Sequence, residues 1–242
     1  MRSLLVAAGD DESGLMAALA SAADAIVVDL DVAAREAARA NAIRVLKEAA
    51  RRPGGPVPTA RVGALSAGAT DDDLDAVMAA APRAIVLPKA RGRACLQQLS
   101  AKLALREALL GLDDGATGIV AVVDTAEALL ALAGLGDASA RLIGLAWDAE
   151  ALRLEIGAAA ARSDDGGFAG TLRLAREMTL LAAAAAGVPA IDTAFPDPRN
   201  LAAAKAEALA AKRAGFAAKV ATSPAQAAVV NEAFGAHGRS GR

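Results

Sequence analysis

Apolar runs of strand length recur about eight times along the chain, and six of them end on a charge. Residues 25–28 run into Asp29, 59–60 into Arg61, 85–88 into Lys89, 119–123 into Asp124, 142–147 into Asp148 and 190–191 into Asp192. An apolar run that finishes in a charge marks a parallel strand buried on both faces, whose C-terminal end opens onto solvent, a ligand or a metal. The pattern predicts strands at 3–8, 24–29, 57–62, 84–89, 118–124, 142–148, 189–194 and 216–221. Stretches rich in Ala, Leu, Arg and Glu with helical spacing separate them.

Local signals punctuate the helices. Asp10 and Asp11 are placed to cap the first. Thr70, followed by Asp71, Asp72 and Asp73, reads as a capping oxygen and a solvated acidic first turn at the positive end of the helix dipole. Gly187-Val188-Pro189 stops a helix at 171–186 and launches the next strand. Eight strands alternating with helices predict an α/β fold, a (β/α)8 TIM barrel with a closed parallel sheet. A doubly wound open sheet is the alternative, but Gly9-Asp10-Asp11 does not supply its G-x-G-x-x-G turn. One barrel domain over 1–234 and a flexible tail at 235–242 account for the chain.

Composition narrows the function classes. The 242 residues are long enough for one closed barrel, and alanine inflates the 55% hydrophobic share. Lys and Arg number 26 against 28 Asp and Glu, a net charge of −2 with no nucleic-acid footprint. No run approaches the roughly 18 uninterrupted apolar residues that span a bilayer, so no membrane is expected. The single cysteine, Cys95, precludes an internal disulfide and suits a reducing cytoplasm. Cys95 is read as structural, since the only histidine, His237, lies in the tail.

In a barrel the loops after the strands form one active face, so the strand-terminal charges should converge there. In chain order they read Asp29-Leu30-Asp31, Arg61-Val62-Gly63, Leu87-Pro88-Lys89, Val123-Asp124-Thr125, Trp147-Asp148-Ala149-Glu150 and Ile191-Asp192-Thr193, then Lys219 to Pro224. This series resembles the citrate lyase β-subunit-like family of the phosphoenolpyruvate/pyruvate barrel superfamily, most closely from Arg176 to Phe234. The resemblance implies a Mg²⁺-assisted carbon–carbon lyase acting on short hydroxy-acyl-CoA thioesters or keto acids. It also implies a homo-oligomer, commonly a trimer or hexamer. In that chemistry a metal held by two carboxylates polarises a carbonyl while an arginine clamps the substrate carboxylate.

Carried over residue by residue, the resemblance makes Arg61 the clamp and gives Arg61, Asp29, Asp31 and Lys89 as catalytic candidates. Asp31 stands where the family has glutamate, and Gly63 where it has asparagine. The ligating glutamate becomes Asp124, a carboxylate shorter by about 1.5 Å, and the ligating aspartate becomes Ala151. Asp148 and Glu150 are then the remaining metal candidates beside Asp124. Trp147 is taken as a substrate-contacting wall of the mouth rather than a cofactor stacker, and Asp192 as a group behind the site or a helix cap. Arg61 could equally pair with Asp29 or Asp31. The basic residue expected in the first loop falls near Ser13 and Gly14, and many relatives continue past the position of Phe234 into a lid. Two readings follow: an active lyase with a rebuilt metal site, or an inactive member that binds a carboxylate or serves in assembly.

Overall fold

Eight parallel strands hydrogen-bond in sequence order, and the last returns to the first. They are β1 (Ser3–Ala8), β2 (Ala25–Asp29), β3 (Val57–Arg61), β4 (Ala84–Leu87), β5 (Gly118–Val123), β6 (Leu142–Trp147), β7 (Ala190–Asp192) and β8 (Ala218–Ala221). The closed ring in this computed structural model, which describes residues 1–164 and 166–235, is the predicted (β/α)8 barrel and disposes of the open sheet. His237 and the tail beyond Gly235 lie outside the described residues.

The helices wrap the ring: α1 (Glu12–Leu19), α2 (Arg35–Arg51), α3 (Thr70–Met78), α4 (Arg93–Leu110), α5 (Ala126–Leu130), α6 (Ala149–Glu155), α7 (Gly170–Ala185), α8 (Leu201–Ala214) and α9 (Pro224–Phe234). Among the described residues none is long and apolar enough to cross a membrane. Side chains alternate between two cores, as strand geometry requires. Leu4, Val27, Val86, Val120, Val122, Ala146 and Ile191 fill the barrel interior. Leu5, Ile26, Val28, Ile85, Leu87, Val123, Leu145 and Trp147 face outward and pack under the helices, with Cys95 against that layer. Gly118 makes room for Ile143. A Cβ at that position would sit 2.6 Å from Ile143 Cδ1, beside the register shift between β5 and β6.

Capping follows the sequence at one helix and departs from it at another. Asp11 caps α1, accepting from the Gly14 N–H at 3.0 Å, whereas Asp10 makes no cap bond. Thr70 does not cap α3: its hydroxyl donates to the Gly63 and Ala64 carbonyls, and Ala69 holds the cap position. Nor is the acidic first turn wholly solvated. Asp73 is fully buried and accepts from the Gly63 N–H at 2.9 Å, from Arg39 Nε at 2.8 Å and from Arg35 Nη1 at 3.3 Å. Two basic side chains on α2 and an open backbone amide after β3 draw this carboxylate inward.

Candidate active site

Strand parity decides which terminal charges meet. Asp29, Asp124 and Asp148 each follow an interior residue by two positions, namely Val27, Val122 and Ala146. Arg61 is paired with Asp29 in the β2–β3 register and lines the lumen. These four side chains rise into one mouth. Asp192 and Lys219 have the opposite parity and turn outward, beneath the helices.

Arg61 meets Asp29 through one bond, Nη1 to Oδ2 at 3.1 Å. Its Nε is buried and has no acceptor, and Nη2 has none among the described residues. Asp29 is held in turn by the Asp31 N–H, which donates to Oδ1 at 2.9 Å. The Asp31 carboxylate pairs with Arg35 at the rim and does not join the mouth.

Lys89 contributes through its backbone. It adopts a left-handed conformation, φ 51°, that costs a non-glycine residue about 1 kcal/mol. In that pose its N–H donates to Asp124 Oδ1 at 2.8 Å. The side chain is exposed, and its ammonium pairs with nothing among the described residues.

Asp124 is 4% exposed, and burial pushes its pKa up to about 6. The Lys89 amide and Arg61 oppose that shift, while the Asp148 carboxylate nearby adds to it. Asp148 caps α6, its Oδ1 accepting from the Glu150 and Ala151 N–H groups at 3.0 and 3.1 Å. Each aspartate therefore keeps one oxygen without a hydrogen bond among the described residues. Two such oxygens from adjacent strands fit a hard divalent cation that retains several waters. No cluster of three or more His, Cys, Asp and Glu suited to a metal occurs among the described residues.

Three more of the residues singled out in the sequence take the following places. Glu150 does not enter the mouth: both its oxygens accept from Arg153 Nε at 2.9 Å on the exposed first turn of α6, and that guanidinium holds its carboxyl below the usual range. Trp147 borders the lumen, but its ring packs edge-to-face on Phe168, 4.9 Å between centroids, and its Nε1 donates to Asp192 at 2.7 Å. At 1% exposure the indole is buried against that outer layer. Of the two places considered for Asp192, behind the site or at a helix cap, it takes the first: it caps no helix and gathers Trp147, Arg176 and Lys219 in the outer layer. Lys219 stands in the strand-terminal series, but the sequence assigned it no role. The two-residue alternation along β8 was the signal that could have separated it from the lumen-facing Val220.

Beside the mouth a cleft of about 710 Å³ opens between the loop after β6 and the loop after β7, lined by Asp148, Arg153, Arg162, Phe168 and Thr193 among others. It gives the mouth room for a ligand larger than a keto acid.

The sequence model of the HpcH/HpaI aldolase/citrate lyase family matches residues 2–224. The chain belongs to that family. A citrate lyase subunit beta-like protein of Mycobacterium tuberculosis is 30% identical over 228 residues, 93% of this chain and 76% of the relative. Among solved structures, a citrate lyase beta subunit from the same organism, complexed with oxaloacetate and magnesium, superposes with a TM-score of 0.78 at 28% identity, covering 96% of each chain. Another Mycobacterium tuberculosis structure, in complex with magnesium, acetoacetate and coenzyme A, gives 0.79 at 28% identity, covering 98% of this chain and 82% of that one.

Proposed function

We propose that this family member is a Mg²⁺-assisted carbon–carbon lyase for a short keto-acid or hydroxy-acyl-CoA substrate, with Asp124 and Asp148 as its metal-holding pair. The carrying observation is the buried Arg61 Nε without an acceptor, in the same mouth as two aspartates that each keep an unengaged oxygen. When bound, the ion supplies Lewis-acid polarisation of the substrate carbonyl, worth several kcal/mol of transition-state charge stabilisation. Arg61 binds the substrate carboxylate and fixes its plane, with Asp29 holding the guanidinium in place. The Lys89 amide holds Asp124 in orientation, and the exposed ammonium offers a charge to the outer part of the ligand. Relatives crystallised with magnesium, oxaloacetate and coenzyme A support this reading.

Calorimetry with Mg²⁺, with and without oxaloacetate, tests it. Stoichiometric binding that disappears in Asp124→Asn, with turnover of a hydroxy-acyl-CoA, is the expected result; absence of Mg²⁺ binding would sink it. A second reading, an inactive carboxylate-binding or assembly protein, is favoured by Ala151 at the expected ligand position and by Glu150 locked to Arg153. Keto-acid binding through Arg61 without metal or turnover would select it. Either reading includes a cytoplasmic homo-oligomer, for which exposed Leu105 and Leu109 on α4 offer apolar surface.

A further inference from the structure

The ring has few backbone pairs on either side of β7, which shares two with β6 and two with β8. β6 and β7 share only two register pairs, Leu145 with Ala190 and Ala146 with Ile191. Beyond Ile191 the two strands have no further ladder pairs, although Asp148, which follows β6, belongs to the candidate metal pair. Side chains span that gap. The Ala149 N–H donates to Thr193 Oγ1 at 3.2 Å, and Trp147 Nε1 donates to Asp192. Lys219, 1% exposed, secures the far side of the same segment. Its ammonium donates to the Thr193 carbonyl, to Glu207 Oε1 at 2.8 Å and to Asp192 Oδ2 at 3.3 Å, using all three of its donors.

We propose that Lys219 is a positioning residue for Asp148. Its ammonium fixes Thr193, the Thr193 hydroxyl fixes the first amide of α6, and α6 presents the capping carboxylate to the mouth. A buried ammonium is a poor device for stability alone, because a well-packed apolar residue of similar size often does as well or better. Here it orients a carbonyl, which an apolar residue could not do. The proposal deepens the metal-site reading and rests on it for its consequence, though not for its geometry.

The test uses Lys219→Met, which removes the charge at similar length, and Thr193→Val, which removes the acceptor for Ala149 and leaves Lys219 in place. Hydrogen exchange without ligand reads the geometry. Amides 149–151 should exchange about tenfold faster in both variants, with those of α3 unchanged. Mg²⁺ titration in the presence of oxaloacetate reads the consequence. Affinity should fall about tenfold, as it does when groups supporting a ligand are lost, with no further fall in an Asp148→Asn background. Unchanged exchange at 149–151, or an equal affinity loss with and without Asp148, overturns the proposal. If Lys219→Met does not fold, Thr193→Val decides alone. If wild type binds neither Mg²⁺ nor oxaloacetate, the lyase reading falls while the exchange result still judges the positioning.

Discussion

Arg61 and Asp29 stand opposite each other in the β2–β3 register and share one hydrogen bond of 3.1 Å, which leaves most of a five-donor guanidinium without an acceptor among the described residues. A planar carboxylate satisfies such donors two at a time. Arg61→Ala should weaken oxaloacetate or pyruvate binding by about 10- to 100-fold, the usual worth of hydrogen bonds to charged groups. Arg61→Lys should recover only part of it, because a point charge lacks the fork. Isothermal titration of the variants checks both.

Asp124 makes stability depend on pH in an unusual direction. Its folded pKa near 6 lies above its ordinary value, so between those limits the native state binds more protons than the unfolded one. Its contribution is therefore favourable at low pH and lost as pH rises through about 6, at a cost on the order of 3 kcal/mol. Asp124→Asn should flatten that slope and raise the melting temperature at neutral pH while abolishing Mg²⁺ binding. Wild-type Mg²⁺ affinity should also decline below about pH 6, since the ion must displace a proton.

Lys89 separates a backbone role from a side-chain role. Glycine accepts a left-handed backbone freely, so Lys89→Gly preserves the amide that holds Asp124. The variant should be at least as stable as Lys89→Ala in thermal melts. Both should bind Mg²⁺ like wild type, and both should bind keto acid more weakly at low ionic strength if the ammonium reaches the ligand.

Position 151 tests whether the mouth gains from a third carboxylate. Ala151 donates its amide to Asp148 from the first turn of α6, where an added acidic side chain also suits the helix dipole. Ala151→Asp should tighten Mg²⁺ binding about tenfold through the extra ligand charge. Glu150→Gln should leave it unchanged, since that side chain is already committed to Arg153. A weakened metal response in Glu150→Gln would restore Glu150 to the ligand set.

The fold was legible because eight apolar runs of strand length, six of them ending on a charge, have few other solutions, and a strand lies within each predicted range. β4 and β7 are shorter than their runs, at Ala84–Leu87 and Ala190–Asp192, because the chain turns into its loop before the charge at 89 and before Thr193. The site was only partly legible. A run ending in charge shows that the residue lies at the mouth end of a strand, not which way it faces. Counting from Val27, Val122 and Ala146 turns Asp29, Asp124 and Asp148 inward, and the same count turns Asp192 away. The partners of buried charges were out of reach, because Asp73 with Arg35 and Arg39, or Lys219 with Glu207, join neighbouring elements whose facing sides only the packed structure fixes.

The ring is also latched at the end opposite the mouth. Arg2 forks onto Asp24 and reaches the carbonyl of Gly235 at 3.3 Å, so the beginning of β1 and the close of α9 lie side by side. Joining those two points and reopening the chain at an exposed turn such as Gly54-Gly55 would give a circular permutant with its barrel order preserved. Fusions attached near Arg2 or Gly235 would project from the floor of the barrel and leave the opposite mouth clear.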